Sequence, residues 1–574
     1  MNEEIEMHRA KERNKPQAVG VLARAMQKMP AVLERLGYKG LRPGQDKIIM
    51  SVLAGRDSIG ILPTALGKSA CYIVPTLCSD TRTLIFSPLV SLMKDQVENL
   101  QRYGLTGGQI NSNQTQAENS MTRAAWESGE LQFLLVAPER LEKADFQTLM
   151  RKVKPHMVVI DEAHCTSTWA HSFRPAYARI ADFVDAINPD VVLALTATAT
   201  DHVMSDIRNI LGMQKATSFI YMPRRTNLHL SSVELPDGKG EYYDKEITKQ
   251  LLSLIQDISG PTIVYSGSRK GCEDMHAKLK GLIKGGSAVY HSEIEPGEKD
   301  MVQERFMDNK IQVMFATNAF GMGVNKPDIR GIIHRHPPGS VESLTQEIGR
   351  AGRDGLDSFC TLMNDPAGIR MSHYHVDGNF PPEDLIRYVY SYLKRVCPDP
   401  TKVLALTSDE IGEAMGMDQR ERRGVASALG TLARFKVVDR AEPTIKCARL
   451  KILVTPADED FRKLCDHARR YGRESSDGYY DIPLETLVQE CGRSQVTIQS
   501  WIKEMVKAEV VKYVPPFRGK TTRLVGDIKL VEFEDLRQRR EHALRCIEDV
   551  QHYAHVPDER KHSFLENYFG VENE

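Results

Sequence analysis

Two stretches of this chain alternate short, continuous apolar runs with helical patterns, and this alternation constrains the fold more than any other feature. The first stretch covers residues 33–211, and the second runs from residue 262 to residue 363. Apolar runs without polar alternation are typical of strands buried on both faces, and intervening helices predict parallel pairing. The expected strands are residues 83–86, 133–136, 158–160, 191–195, 262–265, 288–290, 311–315, 332–334 and 359–363. The sequence therefore predicts an α/β fold with two parallel sheets.

A Gly-Lys-Ser sequence follows an apolar run at residues 58–62. The loop reads TALGKS at residues 64–69, and a helical pattern begins at its end. Backbone N–H groups at a helix N-terminus hold phosphates, and a lysine in the loop neutralises them. We expect Lys68 to carry out this neutralisation and Ser69 to ligate Mg²⁺. The candidate nucleotide-binding residues of the loop are Thr64, Gly67, Lys68 and Ser69.

Two adjacent acids end another expected strand. Residues 159–164 read VIDEAH, so an apolar strand carries Asp161 and Glu162 to the edge of its sheet. In nucleoside triphosphatases such acids hold Mg²⁺ through water and orient the attacking water. We assign the metal to Asp161 and the water to Glu162. The alternative is a strand that simply ends in solvated acids.

A pair of arginines lies in the second stretch, within the sequence QEIGRAGR at residues 346–353. Phosphoryl transfer needs positive charge aimed at the transition state. The candidates are Gln346, Arg350 and Arg353. They reach a nucleotide on the first sheet only if the two sheets face each other, and hydrolysis would then move one lobe relative to the other. Together with the loop and the acids, they predict a nucleoside triphosphatase.

The ten cysteines include no Cys-x-x-Cys pair, which argues against a zinc ribbon and against a disulfide framework. Cys465 with His467, or His373 with His375, is an alternative metal pair, although solvated loop histidines are commoner. No apolar run reaches about 18 residues and the charged N-terminus lacks a signal core, so we expect a cytoplasmic protein with no membrane partner. The net charge of −1 gives no general sign of nucleic-acid binding.

The chain changes character after residue 382, where short helices replace the alternating pattern. Residues 408–440 read as helix, turn, helix and strand, and residues 484–525 repeat that plan with a hairpin. Helix-turn-helix followed by a hairpin is typical of a winged helix, which docks one helix on a DNA duplex. Winged helices also mediate contacts between proteins, so both uses stay open. The remaining C-terminal residues read as a helix with no recognisable role.

Further sequences resemble motifs of the RecQ family of DNA helicases. They are YKGLRPGQ at residues 38–45, SPLVSLMKDQ at 87–96, APERL at 137–141, DEAHC at 161–165 and ATNAFGMGVNKP at 316–327. The resemblance covers residues 33–365 and separates RecQ proteins from superfamily 2 helicases in general. It implies two RecA-like lobes that clamp ATP and Mg²⁺, move 3′ to 5′ on single-stranded DNA and unwind partly duplex DNA.

The resemblance also implies roles for residues beside the nucleotide. Arg42 and Gln45 should recognise adenine. Ser87, Thr317 and the TAT sequence at residues 196–198 should couple the nucleotide cleft to the DNA strand.

Residues 165–175 (CTSTWAHSFRP) resemble the aromatic-rich loop that senses single-stranded DNA in this family. Trp169 and Phe173 can stack on bases, and Arg174 can contact phosphate. The alternative is that both aromatic side chains belong to the core.

The chain departs from the RecQ pattern in three places. Residues 65–67 read ALG, where the family has small residues or glycine, and Thr168, Ala170 and Ser172 replace the usual Gln, Gly and Asp of the sensing loop. The sequence lacks the four-cysteine zinc module, so zinc is not predicted, and it shows no HRDC domain. Two alternatives follow: a DNA-stimulated translocase that does not separate strands, or a nucleotide-regulated DNA-binding scaffold.

Phe517 carries a hypothesis about strand separation. The sequence VPPFRGK at residues 514–520 is expected at the tip of the C-terminal hairpin, where two prolines stiffen it. We expect Phe517 to stack on a terminal base pair, with Arg518 and Lys520 holding the backbone. The alternative is a Phe517 buried between the wing and the motor.

These inferences divide the chain into segments and predict an ATP-dependent DNA helicase, nucleoid-associated if bacterial. The segments are a charged extension (1–30), a first RecA-like lobe (31–215), a second RecA-like lobe (216–375), a helical linker with a winged-helix-like module (376–456), a second winged-helix-like module (457–530) and a C-terminal helical segment (531–574). Residues 223–243 are interpreted as the linker between the lobes. The motor motifs leave RNA unwinding open.

Overall fold

The computed structural model describes most of the chain, and these residues form two compact units. It describes residues 19–63, 66–88, 90–111, 113–167, 175–222, 224–238, 240–320, 326–399, 401, 403–419, 421–441, 447–474, 478–514 and 520–570. The first unit holds those within residues 1–373 and 542–574, and the second holds those within residues 374–541.

The first lobe is a seven-stranded parallel sheet covered by helices. Its elements are α1 (Val19–Arg35), α2 (Gln45–Leu53), β1 (Ser58–Ile61), α3 (Ala70–Ser79), β2 (Thr83–Phe86), α4 (Val90–Arg102), β3 (Gly107–Ile110), α5 (Gln116–Ser128), β4 (Phe133–Val136), α6 (Ala144–Lys152), β5 (Met157–Ile160), α7 (Ile180–Ile187), β6 (Val191–Thr196), α8 (Asp201–Ile210) and β7 (Thr217–Ile220). The strand order is β3-β4-β2-β5-β6-β1-β7. Every residue of β1, β2, β4, β5 and β6 is buried, because helices cover both faces.

Helix α1 corrects the prediction of a charged extension over residues 1–30. From residue 19 onward this segment is helical and packs on the core of the first lobe through Leu22, Ala25 and Met29. These residues recur at helical spacing, so one apolar stripe lies among the charges. At the other end, β7 pairs with β1, so the first sheet extends past residue 215, where we placed the end of the lobe.

The second lobe is a six-stranded sheet whose strand pairs are also parallel. Its elements are β8 (Leu228–Glu234), α9 (Glu241–Gln256), β9 (Thr262–Tyr265), α10 (Arg269–Leu279), β10 (Ser287–Tyr290), α11 (Pro296–Met307), β11 (Val313–Ala316), β12 (Gly331–His334), α12 (Val341–Ile348), β13 (Ser358–Asn364) and α13 (Pro366–Asn379), the last of which runs into the second unit. The strand order is β10-β11-β9-β12-β13-β8. The prediction of two RecA-like parallel-sheet lobes is confirmed.

Strand β8 corrects the interpretation of residues 223–243 as a linker. It pairs in parallel with β13 over seven residues and forms an edge of the second sheet. Its side chains alternate between buried and more exposed at its start, where Leu228 and Leu230 are buried and His229 is exposed. An edge strand needs no continuous apolar run, so the signal used for the other strands was missing here.

The second unit contains two helical modules, one inserted into the other. Its further elements are α14 (Glu383–Val396), α15 (Ser408–Ala414), α16 (Arg422–Arg434), β14 (Val438–Ala441), β15 (Cys447–Ile452), α17 (Glu459–Tyr471), β16 (Arg473–Glu474), β17 (Tyr480–Pro483), α18 (Leu484–Cys491), α19 (Gln495–Lys507), β18 (Val511–Val514) and β19 (Thr521–Leu524). The helix-turn-helix predicted within residues 484–508 is confirmed, because α18 ends at a left-handed Gly492 and Ser494 caps α19.

The hairpin predicted from strands β18 and β19 is wrong. β19 pairs antiparallel with β14, whereas β18 pairs antiparallel with β15 in a separate four-stranded sheet. Residues 447–514, which we call the inserted module, therefore interrupt an outer module made of residues 383–441 and 521–536. Each module has its own core: Val438 and Val531 are buried in the outer module, and Val511 is buried in the inserted module. The module boundary predicted at residue 456 lies after β15, inside the region of the inserted module.

The C-terminal residues form two helices rather than one. Helix α20 (Phe533–His555) leaves the second unit, and α21 (Lys561–Tyr568) follows a turn that contains Pro557. Residues 542–570, the C-terminal return, pack on the core of the second lobe through Val550, Tyr553 and Leu565. A segment to which the sequence assigned no role is thus part of the first unit.

Candidate nucleotide site

The phosphate loop lies between β1 and α3 at the carboxyl edge of the first sheet. Ser69 stands at the N-cap of α3, yet its hydroxyl makes no capping hydrogen bond. Gly67 has a φ of 72°, and a Cβ there would meet the Gln45 amide at 3.4 Å. Glycine is therefore required by the backbone at this position. Thr64 and Ala65 lie outside the described residues.

Gln45 holds the phosphate loop from the start of α2. Its Nε2 donates to the carbonyl oxygens of Leu66 at 2.6 Å and Gly67 at 2.9 Å. Its Oε1 accepts a hydrogen bond from the backbone N–H of Arg42 at 2.8 Å. The two residues expected to recognise adenine thus lie beside each other, and the buried Gln45 amide ties them to the loop.

Asp161 and Glu162 follow β5 and are both buried. Glu162 adopts a left-handed backbone conformation with a φ of 50°, which costs energy for a residue other than glycine. Its Oε1 lies 2.9 Å from the Lys68 Nζ. Gln96 on α4 donates to Asp161 Oδ2 at 2.9 Å, and the Tyr177 hydroxyl donates to the Asp161 carbonyl at 3.0 Å. The predicted lysine and acids are therefore brought together.

Burial and charge shift the pKa values of these groups in different directions. Burial raises the pKa of Asp161, and the positive charge of Lys68 opposes that rise without cancelling it. Burial also works against ionised Glu162, but Lys68 and His164 lower its pKa below the ordinary value. The pKa of Lys68 is raised because the two carboxylates outweigh its desolvation. Glu162 is thus the ionised acid of the pair, and its partners Lys68 and His164 make it a weak base in this state.

His164 connects the acids to the TAT sequence at residues 196–198. Its Nδ1 lies 3.3 Å from Glu162 Oε2 and 2.9 Å from the Thr196 hydroxyl, which donates in turn to the Thr198 carbonyl at 3.0 Å. Burial alone would lower the pKa of His164, but hydrogen bonds to Cys165 and Glu162 raise it to about 10. The protonated imidazole thus joins Glu162 to Thr196 and, through the Thr196 hydroxyl, to the Thr198 carbonyl.

The arginines of the second lobe face the first lobe. The positive charge of Arg353 acts on Lys68, so the two groups share one cleft. Burial and the charges of Arg350 and Arg225 lower the pKa of Arg353 to about 10. Arg350 is buried, and its positive charge acts on Tyr265, whose hydroxyl donates to the Phe320 carbonyl at 2.9 Å. The opposed arrangement of lobes that the sequence required is therefore present.

Arg225 and Asn227 hold the arginine loop, and the sequence analysis missed both. Arg225 donates to the carbonyl oxygens of Gly349 at 3.4 Å and Gly352 at 2.5 Å. Asn227 donates to the Gly352 carbonyl at 2.9 Å and to the Leu356 carbonyl at 3.0 Å. Both lie in the segment interpreted as a linker. The sequence feature that could have identified them is the pair Arg224 and Arg225, followed two residues later by Asn227.

A cleft that is open to solvent separates the lobes beside these groups. Gln346 lines it from the second lobe, and Pro63 and Thr198 line it from the first. The C-terminal return contributes His562 and Glu566 to the same wall. Gln346 is thus placed at the interface of the lobes, as the motif required.

The other candidate residues are distributed differently. Ser87 is fully buried at the end of β2, so any coupling to DNA through it is indirect, whereas Thr317 follows β11 and is half-buried. Lys520 is exposed beside β19, in the second unit. Trp169, Phe173, Arg174, Phe517 and Arg518 lie outside the described residues.

Neither a metal cluster nor a membrane span is evident in the described parts of the chain. No group of three or more His, Cys, Asp or Glu side chains there is placed to hold a metal ion. Cys465 is buried in the core of the inserted module. Within the same residues, every helix is too short or too polar to cross a membrane.

Known proteins share both the sequence and the fold. The family described as DEAD/DEAH box helicase matches residues 42–207, and the helicase conserved C-terminal domain matches residues 245–355. The structure of the DUF1998 helicase MrfA bound to DNA superimposes with a TM-score of 0.50 at 20% identity, covering 61% of this chain and 49% of that chain. At this identity the likeness shows a shared fold.

Two curated helicases define the family. The probable ATP-dependent DNA helicase RecS of Bacillus subtilis is 35% identical over 70% of this chain and 76% of its own length. The ATP-dependent DNA helicase RecQ of Pasteurella multocida is 38% identical over 59% of this chain, which spans about half of that protein (52%). The motifs, the opposed parallel-sheet lobes and this identity agree, and the chain belongs to the RecQ family of ATP-dependent DNA helicases.

Proposed function

We propose that this cytoplasmic protein hydrolyses ATP between its two lobes and uses the energy to move 3′ to 5′ on single-stranded DNA and unwind duplexes. The observation that carries the proposal is the Lys68–Glu162 pair, which shares its cleft with Arg353 of the opposite lobe. A cation for the phosphates, a carboxylate for water and an arginine for the transition state are the parts that phosphoryl transfer needs.

Ser69 and Asp161 fit a Mg²⁺ ion. The Ser69 hydroxyl is not engaged in capping α3, and Gln96 orients the Asp161 carboxylate. Oxygen ligands of this kind suit Mg²⁺, which when bound would neutralise charge on the phosphate oxygens. Burial raises the pKa of Asp161, and a Mg²⁺ ion bound there would favour the ionised carboxylate.

The remaining site residues have roles that follow from their positions. Lys68 binds the phosphates together with the loop from Thr64 to Gly67, and Glu162 then accepts a proton from the attacking water. Arg350 and Arg353, with Gln346, stabilise the transition state from the opposite lobe. Arg42 and Gln45 bind adenine. To do so, the Gln45 amide must give up its hydrogen bonds to the carbonyls of Leu66 and Gly67 and form hydrogen bonds with the base.

DNA contact is proposed for residues on the first unit and on the modules. Thr317, the buried Ser87 acting indirectly, and the loop with Trp169, Phe173 and Arg174 would pass the state of the nucleotide to a single strand. The ion pair between Glu162 and His164, with the hydrogen bond between His164 and Thr196, supports such coupling. The helix-turn-helix of the inserted module would bind duplex DNA through α19, with the pairing of β18 and β15 in place of the expected hairpin.

ATP hydrolysis with and without single-stranded DNA tests the proposal. We expect DNA to stimulate hydrolysis strongly and Glu162→Gln to abolish it while leaving ATP binding intact. Glu241, which is exposed on α9, supplies the matched control Glu241→Gln, and this variant should hydrolyse ATP like the wild type. Wild-type hydrolysis that ignores DNA, or an active Glu162→Gln variant, would contradict the proposal.

A DNA-stimulated translocase that does not separate strands is the second candidate. The observation that favours it is the absence of a β18–β19 ladder among the described strand pairs, since those strands pair with β15 and β14. The segment with Phe517, Arg518 and Lys520 therefore connects two modules, since the described strands on either side of it pair in different sheets. Phe517 as a wedge remains a proposal.

Two assays on one preparation separate the candidates. Displacement of a triplex-forming strand reports movement along DNA, and displacement of a strand from a forked duplex reports unwinding. Both activities are expected of a helicase, and only the first is expected of a translocase. Phe517→Ala should reduce unwinding and spare ATP hydrolysis if Phe517 stacks on the terminal base pair.

A further inference from the structure

The C-terminal return buries its apolar face on the second lobe, in the core that also includes α12, the helix that immediately precedes Arg350 and Arg353. Val550, Tyr553 and Ala554 on α20, with Leu565 and Phe569 after the turn, lie in the core cluster that includes Leu344 and Ile348 of α12. Residues that are distant in sequence from the helicase motifs therefore share one core with the helix that precedes Arg350 and Arg353.

A buried lysine fixes the turn between α20 and α21. Lys561 is completely buried, and its ammonium donates to the carbonyl oxygens of Tyr553 at 3.0 Å, Ala554 at 3.4 Å and Val556 at 2.8 Å. These carbonyls include the last ones of α20, which have no partner within the helix. The direction of α21 is consequently set by a specific polar contact.

Tyr568 forms a hydrogen bond with the first turn of α12. Its hydroxyl donates to Glu342 Oε1 at 3.1 Å, and Glu342 lies in the first turn of α12. Asp549 of α20 also lies near Glu342, because the charge of Glu342 contributes to raising the pKa of Asp549. The carboxylate thus faces the C-terminal return, and the Tyr568 hydroxyl is its hydrogen-bond donor there.

His562 contacts the start of β8, next to Arg225 and Asn227, which hold the loop with Arg350 and Arg353. Its Nε2 lies 2.9 Å from the Leu228 carbonyl, where β8 begins, one residue after Asn227. His562, Leu565 and Glu566 also line the cavity between the lobes, together with Gln346. The return therefore contacts α12 at one end and the segment that clamps the arginine loop at the other.

We propose that Tyr568 is a positioning residue for ATP hydrolysis, which it serves by fixing the first turn of α12 through Glu342. A helix moves as a unit, so a shift at its first turn displaces the arginines that follow its last turn. Lobe closure is then set partly by the C-terminal return. This inference rests on the proposed ATPase function and adds to it a residue outside the helicase motifs.

The test compares Tyr568→Phe, which removes one hydroxyl, with Tyr242→Phe as the matched control. Tyr242 lies on α9 and is 84% exposed. DNA-stimulated ATP hydrolysis is measured as kcat and KM, and thermal unfolding is measured on the same samples. We expect Tyr568→Phe to lower kcat about fivefold with KM for ATP and the unfolding temperature nearly unchanged, and Tyr242→Phe to match the wild type.

A double variant checks that Tyr568 acts through Glu342. Glu342→Ala should lower kcat by a similar factor, and Tyr568→Phe combined with Glu342→Ala should be no slower than Glu342→Ala alone. Three outcomes would each overturn this inference and leave the proposed function intact. They are a wild-type kcat in Tyr568→Phe, losses of kcat that multiply in the double variant, and a loss of kcat that unfolding explains. A wild type without ATP hydrolysis would overturn the proposed function and the inference together. If Tyr568→Phe does not fold, Glu342→Ala takes its place in the test: the inference requires a lower kcat with a nearly unchanged KM for ATP.

Discussion

The ammonium of Lys68 lies 2.9 Å from the carboxylate of Glu162, so the cation expected to hold phosphate neutralises the acid expected to activate water. Both side chains are largely buried, with exposed fractions of 11% and 9%. We therefore expect ATP to compete with Glu162 for Lys68 and phosphate binding to release the carboxylate. In the proposed mechanism, the pair would link substrate binding to the readiness of the general base.

Breaking this pair should change both activity and stability. We expect Lys68→Ala to abolish ATP hydrolysis and to lower the free energy of unfolding by about 3 kcal/mol, because Glu162 stays buried beside His164 after its lysine partner is removed. Combining Lys68→Ala with Glu162→Gln removes both charges and should recover much of the stability while hydrolysis stays absent. Denaturant unfolding and ATP turnover measure the two effects. A Lys68→Ala variant as stable as the wild type would show that the pair is not buried as described.

His164 should make stability depend on pH in the alkaline range. Its pKa is raised from 6.5 to about 10, so the folded protein binds its proton more tightly than the unfolded chain does. That contribution to stability is complete below pH 6.5 and is lost as the pH rises toward 10. We expect the unfolding temperature of the wild type to fall more over this range than that of His164→Asn. Parallel curves for the two proteins would contradict the raised pKa.

The clamp on the arginine loop should be necessary for fast turnover. Arg225 donates to two carbonyls through one planar guanidinium, a geometry that lysine does not reproduce. We expect Arg225→Lys to lower kcat about tenfold or more with a smaller change in KM for ATP. Arg305, which is exposed in the last turn of α11, gives the matched control Arg305→Lys. Equal kcat in both variants would leave Arg225 with no part in catalysis.

Lys561 should hold the C-terminal return on the second lobe. Lys561→Met keeps much of the side-chain volume but leaves the carbonyls at the end of α20 unpaired, at a cost of about 2 kcal/mol. We expect faster amide hydrogen exchange in residues 550–570, with Lys284→Met, an exposed change in the same lobe, as the control. Unchanged exchange would show that apolar packing alone keeps the return in place.

Motifs at the ends of buried strands could be predicted because each is a local pattern. An apolar run followed by Asp161 and Glu162, or by the loop with Lys68, indicates a sheet edge without knowledge of the rest of the fold. The opposed position of Arg353 could be stated only as a condition, since it depends on how two sheets meet. The structure fulfils that condition.

Features that depend on distant pairing could not be predicted. Val438 pairs with Leu524 across the whole inserted module, and nothing near either residue marks the partner. The same holds for Tyr568 and Glu342, which are separated by 226 positions. Arg225 was missed for a different reason: edge strand β8 carries alternating polar residues, so its surroundings resembled a linker.

The insertion between β14 and β19 determines how force can reach the inserted module. Because these strands are neighbours in one ladder, the chain enters and leaves the module at points about 5 Å apart at the level of the ladder. A module joined by one peptide connection can rotate about that connection, whereas two adjacent connections restrict the rotation. The same closeness makes residues 447–514 removable as a cassette, with a short glycine-rich bridge rejoining the outer module.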